Sequence, residues 1–356
     1  MLSGSDHLLP GVHHRRLYFA DGDIVLSSVS AKMKTTMYKV DKIYLSRQSE
    51  VFQGMFTMPA SSTDLYDGVP WVRMPDPTEE LSPLLEALYD VSTLKMVRHS
   101  PNTAIRLSGA MKLAKKYEIH SLRRAILRHM ENDWPQTVDE WIEYHRSISR
   151  AQTQHLNTSP SYLHAGRYID ERFPEPGSTL RFALDYHCPT LLRAATMVMV
   201  TASEQSNYEE IVLSKFDMQY EAAAAKRTLL FPLVRWSLLT RRELDCLEYG
   251  KKVFREELRK LGNGETQLID PPTCGGCTDK LVAWRNHVFT MGGKVCLEER
   301  ELTEPISECT KLLEEGKPAG VCVPCWSRTV KAIMNKRQEL WDQIPKIFQW
   351  QSLMSD

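Results

Sequence analysis

The fold is decided by residues 38–52, which read YKVDKIYLSRQSEVF. The stretch completes a predicted strand over 35–40, where β-favouring side chains alternate with others. Ser49 then stands at a suitable N-cap position for the second of two short predicted helices. That helix places Phe52, Met55 and Phe56 on one face. The pattern predicts a small unit of strands and helices with Phe52 in its core.

Further elements are predicted on both sides of this stretch, and together they indicate an α+β chain. Short strands are expected at 24–26 and 69–74, and a Leu-rich helix at 81–88. From Asn102 onward the apolar period is helical, with a polar linker expected at 150–161. The predicted divisions are an N-terminal tail at 1–20, an α/β domain at 21–135, an all-α domain at 136–270 and a Cys-containing helical tail at 271–356.

Four blocks between residues 23 and 134 resemble the BTB/POZ domain in order and spacing. They are Asp23-Ile24-Val25, the run Tyr38 to Phe52, Leu84 to Asp90, and Leu113 to Tyr117. Together with the helical region and the Cys-bearing tail, they are similar to a large set of BTB proteins of mushroom-forming fungi. The resemblance implies a BTB/POZ-type N-terminal domain that binds proteins, in a non-enzymatic adaptor.

The resemblance also indicates where a partner would bind. In repressor-type members the positions of Asp23 and Lys42 form a charged pocket at the dimer groove; the alternative is that Asp23 caps a turn and Lys42 is solvated. The loop at 57–69 has no packing role that periodicity reveals, which is typical of recognition surfaces, and together with the neighbouring helix face at Phe56 it is the predicted interface. The loop lacks the apolar-x-Glu motif of cullin-binding members. Self-association as a homodimer is therefore favoured over a role as substrate adaptor of a cullin-type ubiquitin ligase.

A weak internal repeat lies in the helical part of the chain. Residues 111–125 align with residues 180–194, sharing an Ala, a Tyr and a Leu-x-Arg-Ala sequence in register. Each copy predicts a helical hairpin whose turn follows the Tyr. Neutral net charge favours a structural hairpin over a DNA-reading one.

Two Cys-x-x-Cys pairs are the strongest chemical signal in the sequence: Cys274 with Cys277, and Cys322 with Cys325. Eight cysteines in 356 positions give roughly 0.2 such pairs by chance. Two turns of this kind can complete a tetrahedral zinc site. The gap of 44 residues between the pairs is long, and His287, Cys296 and Cys309 lie within it as substitute ligands. Structural zinc, unpaired structural thiols and a redox dithiol remain open as interpretations.

Composition limits the remaining classes of function. Forty-five Lys and Arg balance forty-five Asp and Glu, so nucleic acid is an unexpected partner. The sequence has neither an apolar run of signal-peptide or membrane-span length nor a catalytic fingerprint. A soluble protein of the cytoplasm or nucleus, and not an enzyme, is expected. A nuclear transcriptional regulator with a zinc-stabilised C-terminal module is the alternative to the adaptor.

Overall fold

The computed structural model describes residues 11–58, 65–159, 161–213, 220–266, 268, 274, 276–296 and 305–354. Their contacts divide into two compact units. The first contains the described residues up to Arg98 together with Thr103–Met130, and the second contains His99–Asn102 and those from Glu131 onward. All the described strands belong to the first unit, and the remainder is dominated by helices, so the α+β class is confirmed.

A five-stranded mixed sheet forms the centre of the first unit. The strands are β1 (Val12–Tyr18), β2 (Ile24–Val29), β3 (Thr35–Val40), β4 (Leu65–Tyr66) and β5 (Val69–Arg73). Their order across the sheet is β1-β3-β2-β5-β4. β2 and β3 are antiparallel, with Leu26 opposite Tyr38, and β5 runs parallel to β2. The strands predicted at 24–26, 35–40 and 69–74 are therefore present.

Strand β1 lies where the sequence predicted only an N-terminal tail. It pairs in parallel with β3 and forms one edge of the sheet. Among its seven residues only Leu17 is buried, while His13, Arg15 and Arg16 are exposed. Because a single buried side chain produces no alternation of apolar and polar residues, the period-two signal on which strand prediction rests is missing here.

The helices of the first unit bury the predicted aromatic core. They are α1 (Lys42–Gln48), α2 (Glu50–Thr57), α3 (Thr78–Tyr89), α4 (Thr103–Lys116) and α5 (His120–Glu131). Ser49 caps α2 as predicted, accepting a hydrogen bond from the Phe52 backbone N–H at 3.0 Å. Phe52 is fully buried, and its ring stacks on Tyr117 at a centroid distance of 4.7 Å. Tyr117 in turn donates its hydroxyl hydrogen to the buried carboxylate of Asp76.

The second unit is built from helices, which are α6 (Val138–Leu156), α7 (Pro176–Asp185), α8 (Pro189–Thr201), α9 (Tyr220–Leu229), α10 (Arg241–Asn263), α11 (Cys277–Cys296), α12 (Pro305–Glu314), α13 (Val323–Ile347) and α14 (Trp350–Met354). The linker predicted at 150–161 is wrong over its first half, because α6 continues to Leu156. Ala151 and His155 are buried in this last part of the helix. The Thr153 hydroxyl donates a hydrogen bond to the backbone carbonyl of Ser149, one turn earlier. The polar composition was misleading, because a polar side chain such as that of Thr153 can form its hydrogen bond within the helix itself.

The internal repeat corresponds to two helical hairpins, α4–α5 in the first unit and α7–α8 in the second. At each turn one residue adopts a left-handed conformation, Glu118 with φ of 53° and His187 with φ of 55°. The next residue in each copy donates to an Ala carbonyl five positions earlier, at 2.8 Å in the first copy and 2.9 Å in the second. This is the Schellman arrangement that ends a helix. The predicted turn after each Tyr is therefore confirmed.

Within the described ranges, none of the helices combines the length and the apolarity that crossing a lipid bilayer requires.

Candidate metal centre

Both Cys-x-x-Cys pairs lie at the start of a helix in the second unit. Cys277 is the first residue of α11, and Gly276 before it has φ of 85°, a left-handed conformation that glycine adopts without steric cost. Cys322 is the N-cap of α13, and Pro324 occupies the first turn, where its missing N–H is not needed. Each turn directs two sulfur atoms to the same side, which is what a metal knuckle requires.

The four sulfur atoms converge on one point. The Sγ of Cys274 lies 3.2 Å from that of Cys277, 3.2 Å from that of Cys322 and 3.4 Å from that of Cys325. All four sulfurs lie within 4.8 Å of one another. A zinc ion with Zn–S bonds of about 2.3 Å needs neighbouring sulfurs about 3.8 Å apart. The tetrad is therefore close to the size of a tetrahedral thiolate cage and would need to expand slightly around the ion.

The same distances exclude disulfide bonds within the tetrad. A disulfide needs sulfurs about 2.05 Å apart, and all four residues are free thiols. Four converging thiols with no bond between them can hold a metal ion, and the pairing predicted from the sequence is present.

Apolar side chains pack against the tetrad, in which Cys274 and Cys322 remain partly exposed. Cys277 and Cys325 are 4% and 2% exposed, and they pack with Leu281 and Val321. Trp284 also packs here, together with Trp326, and the two indoles meet edge to face at 5.3 Å. Four sulfur ligands fill a tetrahedron and leave no position for water or substrate, which is typical of structural sites.

Trp284 connects the tetrad to the core of the neighbouring helices. Besides its contacts at the cysteines, it packs against a second cluster drawn from α10 to α13 and the chain after α10. That cluster consists of Leu261, Leu268, Val288, Cys309, Leu312 and Ile333. Order at the cysteines is therefore coupled to the packing of the surrounding helices.

The thiols of the tetrad differ in acidity. Burial disfavours the thiolate of Cys325, but hydrogen bonds from Cys322, Cys274 and Arg328 outweigh it and lower the pKa of that thiol to about 6. Hydrogen bonds with Cys277, Cys322 and Cys325 raise the pKa of the Cys274 thiol. Four negative charges cannot share this volume without a counter-charge, and a divalent cation supplies one.

The substitute ligands considered between the two pairs are outside the tetrad. His287 is exposed on α11, and Cys309 is fully buried in the apolar cluster of α10 to α13. The side chain of Cys296 lies outside the described residues. Three basic residues that were not predicted to act at the site lie beside it: Lys280 and Lys317 bind carbonyls of the loop before Cys322, and Arg328 contacts the Cys325 sulfur. The positions of Lys280 and Arg328 near the site could have been predicted from the sequence. Each residue stands three positions after a cysteine of the tetrad, which on a helix places both on the same face.

The predicted partner-binding residues lie in the first unit. The carboxylate of Asp23 accepts a hydrogen bond from the backbone N–H of Lys42 at 2.7 Å, so it satisfies a free donor at the start of α1. Phe56 is half-buried and stacks on Phe52 at 5.8 Å. Of the loop predicted to be a recognition surface, residues 59–64 lie outside the described residues. Met58 and Leu65 flank that segment and are 71% and 57% exposed.

Neither the models of known protein families nor the curated proteins contain a match to this chain.

Proposed function

We propose that the protein is a non-enzymatic adaptor that binds proteins through its N-terminal α/β unit and holds its C-terminal helices together with a structural zinc ion. The interaction function rests on one observation, an apolar stripe on the outer face of α2. Val51, Met55 and Met58 follow one another at the i, i+4, i+7 spacing that places side chains on one helix face. Val51 and Met58 are exposed and Met55 is partly exposed.

The inner face of α2 supplies the core through Phe52, whereas Val51 and Met58 lie outside that core and are exposed. Contiguous exposed apolar side chains on a folded protein are typical of interaction sites. The stripe ends beside the loop at 57–69, and the exposed Leu65 lies on the other side of that loop. A second copy of the chain is the occupant that we favour. A cullin-type ligase scaffold is the alternative.

Zinc is the metal that the tetrad fits best. Four sulfur donors in a closed tetrahedral arrangement select a soft or borderline ion without redox chemistry, and Zn²⁺ is the common one. A transcriptional regulator that contacts DNA through this module is less well supported. Lys280 and Lys317 bind backbone carbonyls next to the tetrad, and Arg328 lies against Cys325, so these cations serve the site itself.

Replacing the apolar stripe with charge is expected to abolish self-association. Val51→Glu and Met58→Lys together place an acid in the first turn of α2 and a base at its C-cap, where the helix dipole tolerates each. Multi-angle light scattering on the full chain should give a dimer for the wild type and a monomer for the double variant. Ile105→Glu, an exposed apolar residue near the start of α4, is the matched control and should remain dimeric.

A wild-type chain that is monomeric at high concentration would contradict self-association. A pull-down with a cullin N-terminal domain then decides the alternative, and a negative result there as well would remove the stripe as an interaction site.

A further inference from the structure

One cation contacts a sulfur atom of the cysteine tetrad, and two others bind the loop that leads into Cys322. The guanidinium Nη2 of Arg328 lies 3.6 Å from the Cys325 sulfur, within the range of a hydrogen bond to sulfur. Lys280 Nζ donates to the Gly320 carbonyl at 3.1 Å. Lys317 Nζ donates to the Val321 carbonyl at 2.9 Å. None of these three contacts belongs to the backbone hydrogen bonding of a helix.

The two lysines fix the loop that positions Cys322. Gly320 and Val321 directly precede this cysteine, and their carbonyls are the groups that the lysines hold. Lys280 belongs to α11, the helix that begins with Cys277, so its bond connects one cysteine pair to the other. Gly320 has φ of 74°, and a Cβ atom there would lie 2.6 Å from the Lys280 ammonium nitrogen. Glycine at this position therefore permits the close approach of the lysine.

Arg328 contacts a sulfur ligand and not the loop, so its effect is on the negative charge of the site. Four thiolates around a divalent ion leave an excess of two negative charges, and burying uncompensated charge is costly. A guanidinium against one sulfur offsets part of that charge and restricts the orientation of the thiolate. Partners of this kind outside the ligands typically change metal affinity by about 10- to 100-fold.

We infer that Lys280 and Arg328 are positioning residues of the metal centre. Lys280 joins the two cysteine pairs, and Arg328 compensates the charge of the loaded site, so that the ion is retained. This inference rests on the proposed zinc site and extends it to two residues outside the ligand set.

The test compares zinc affinity among variants of the full chain, by competition with a chromophoric chelator. Arg328→Gln and Lys280→Gln are each expected to weaken zinc binding about tenfold or more. Arg328→Lys keeps the charge without the planar fork and should recover part of the loss. Lys331→Gln is the matched control, because Lys331 is exposed on α13 one turn beyond Arg328, and its affinity should equal that of the wild type.

Cobalt spectra and circular dichroism distinguish a positioning role from misfolding. Each variant saturated with cobalt should keep the sulfur-to-cobalt charge-transfer band of a four-thiolate site and the helix content of the wild type, while its affinity falls. Affinities of Arg328→Gln and Lys280→Gln within twofold of a wild type that binds zinc would overturn this inference alone. A wild type that binds neither zinc nor cobalt would overturn the zinc proposal, and this inference with it.

Discussion

Removing the metal with a chelator is expected to cost the C-terminal helices much of their structure, while the N-terminal α/β unit stays folded. The start of α11 and the start of α13 are joined by the tetrad and by a small apolar cluster at Leu281 and Val321. Without the ion, the four sulfur atoms either repel one another as thiolates or must take up protons to remain close together. Because a site of this kind forms only in the folded chain, its binding free energy contributes directly to folding.

Circular dichroism should show the loss of helix, and tryptophan fluorescence should change as the edge-to-face contact of Trp284 with Trp326 is lost. Adding zinc back should reverse both signals. Cys246→Ala removes a buried thiol outside the tetrad and is the control, since its response to the chelator should equal that of the wild type. Identical spectra and identical melting temperatures with and without the ion would contradict a structural role.

Phe52→Ala is expected to lower the free energy of unfolding of the α/β unit by about 3–5 kcal/mol. The side chain is fully buried, and its ring lies between those of Tyr117 and Phe56, at 4.7 and 5.8 Å. Truncation loses the transfer free energy of the ring and leaves a cavity among rings that are held by other contacts. Tyr117, for example, is fixed by its hydrogen bond to Asp76.

Urea unfolding followed by circular dichroism measures this effect. Gln53→Ala is the matched control: it is the next residue of the same helix, is exposed and lies outside the apolar stripe, and should change the free energy by less than about 0.5 kcal/mol. A loss below about 1 kcal/mol for Phe52→Ala would mean that the core does not depend on this aromatic stack.

The elements predicted well from the sequence are those whose signal is local. Ser49 was recognisable as a cap because the helix it begins carries its apolar face at regular spacing. The two hairpin turns of the repeat were recognisable because the same residues recur in register. The Cys-x-x-Cys pairs were recognisable because the spacing within each pair is local.

Other features depend on contacts between distant residues, which spacing alone does not encode. β1 is a strand because β3 pairs with it, although its own sequence shows no alternation. That the two cysteine pairs meet across 44 intervening residues follows from the packing of α11 against α12 and of α12 against α13. The roles of Lys280 and Lys317 depend on the path of the loop before Cys322, which only the folded structure shows.

The central claim is that the tetrad holds zinc, and elemental analysis of the purified full chain tests it most directly. About one zinc ion per chain is expected in the wild type, and a near-complete loss of zinc is expected in the Cys322→Ser/Cys325→Ser double variant. The Cys246→Ala control should keep its zinc. A fully folded wild type with no zinc or other metal, or a double variant that retains zinc at the wild-type level, would contradict it.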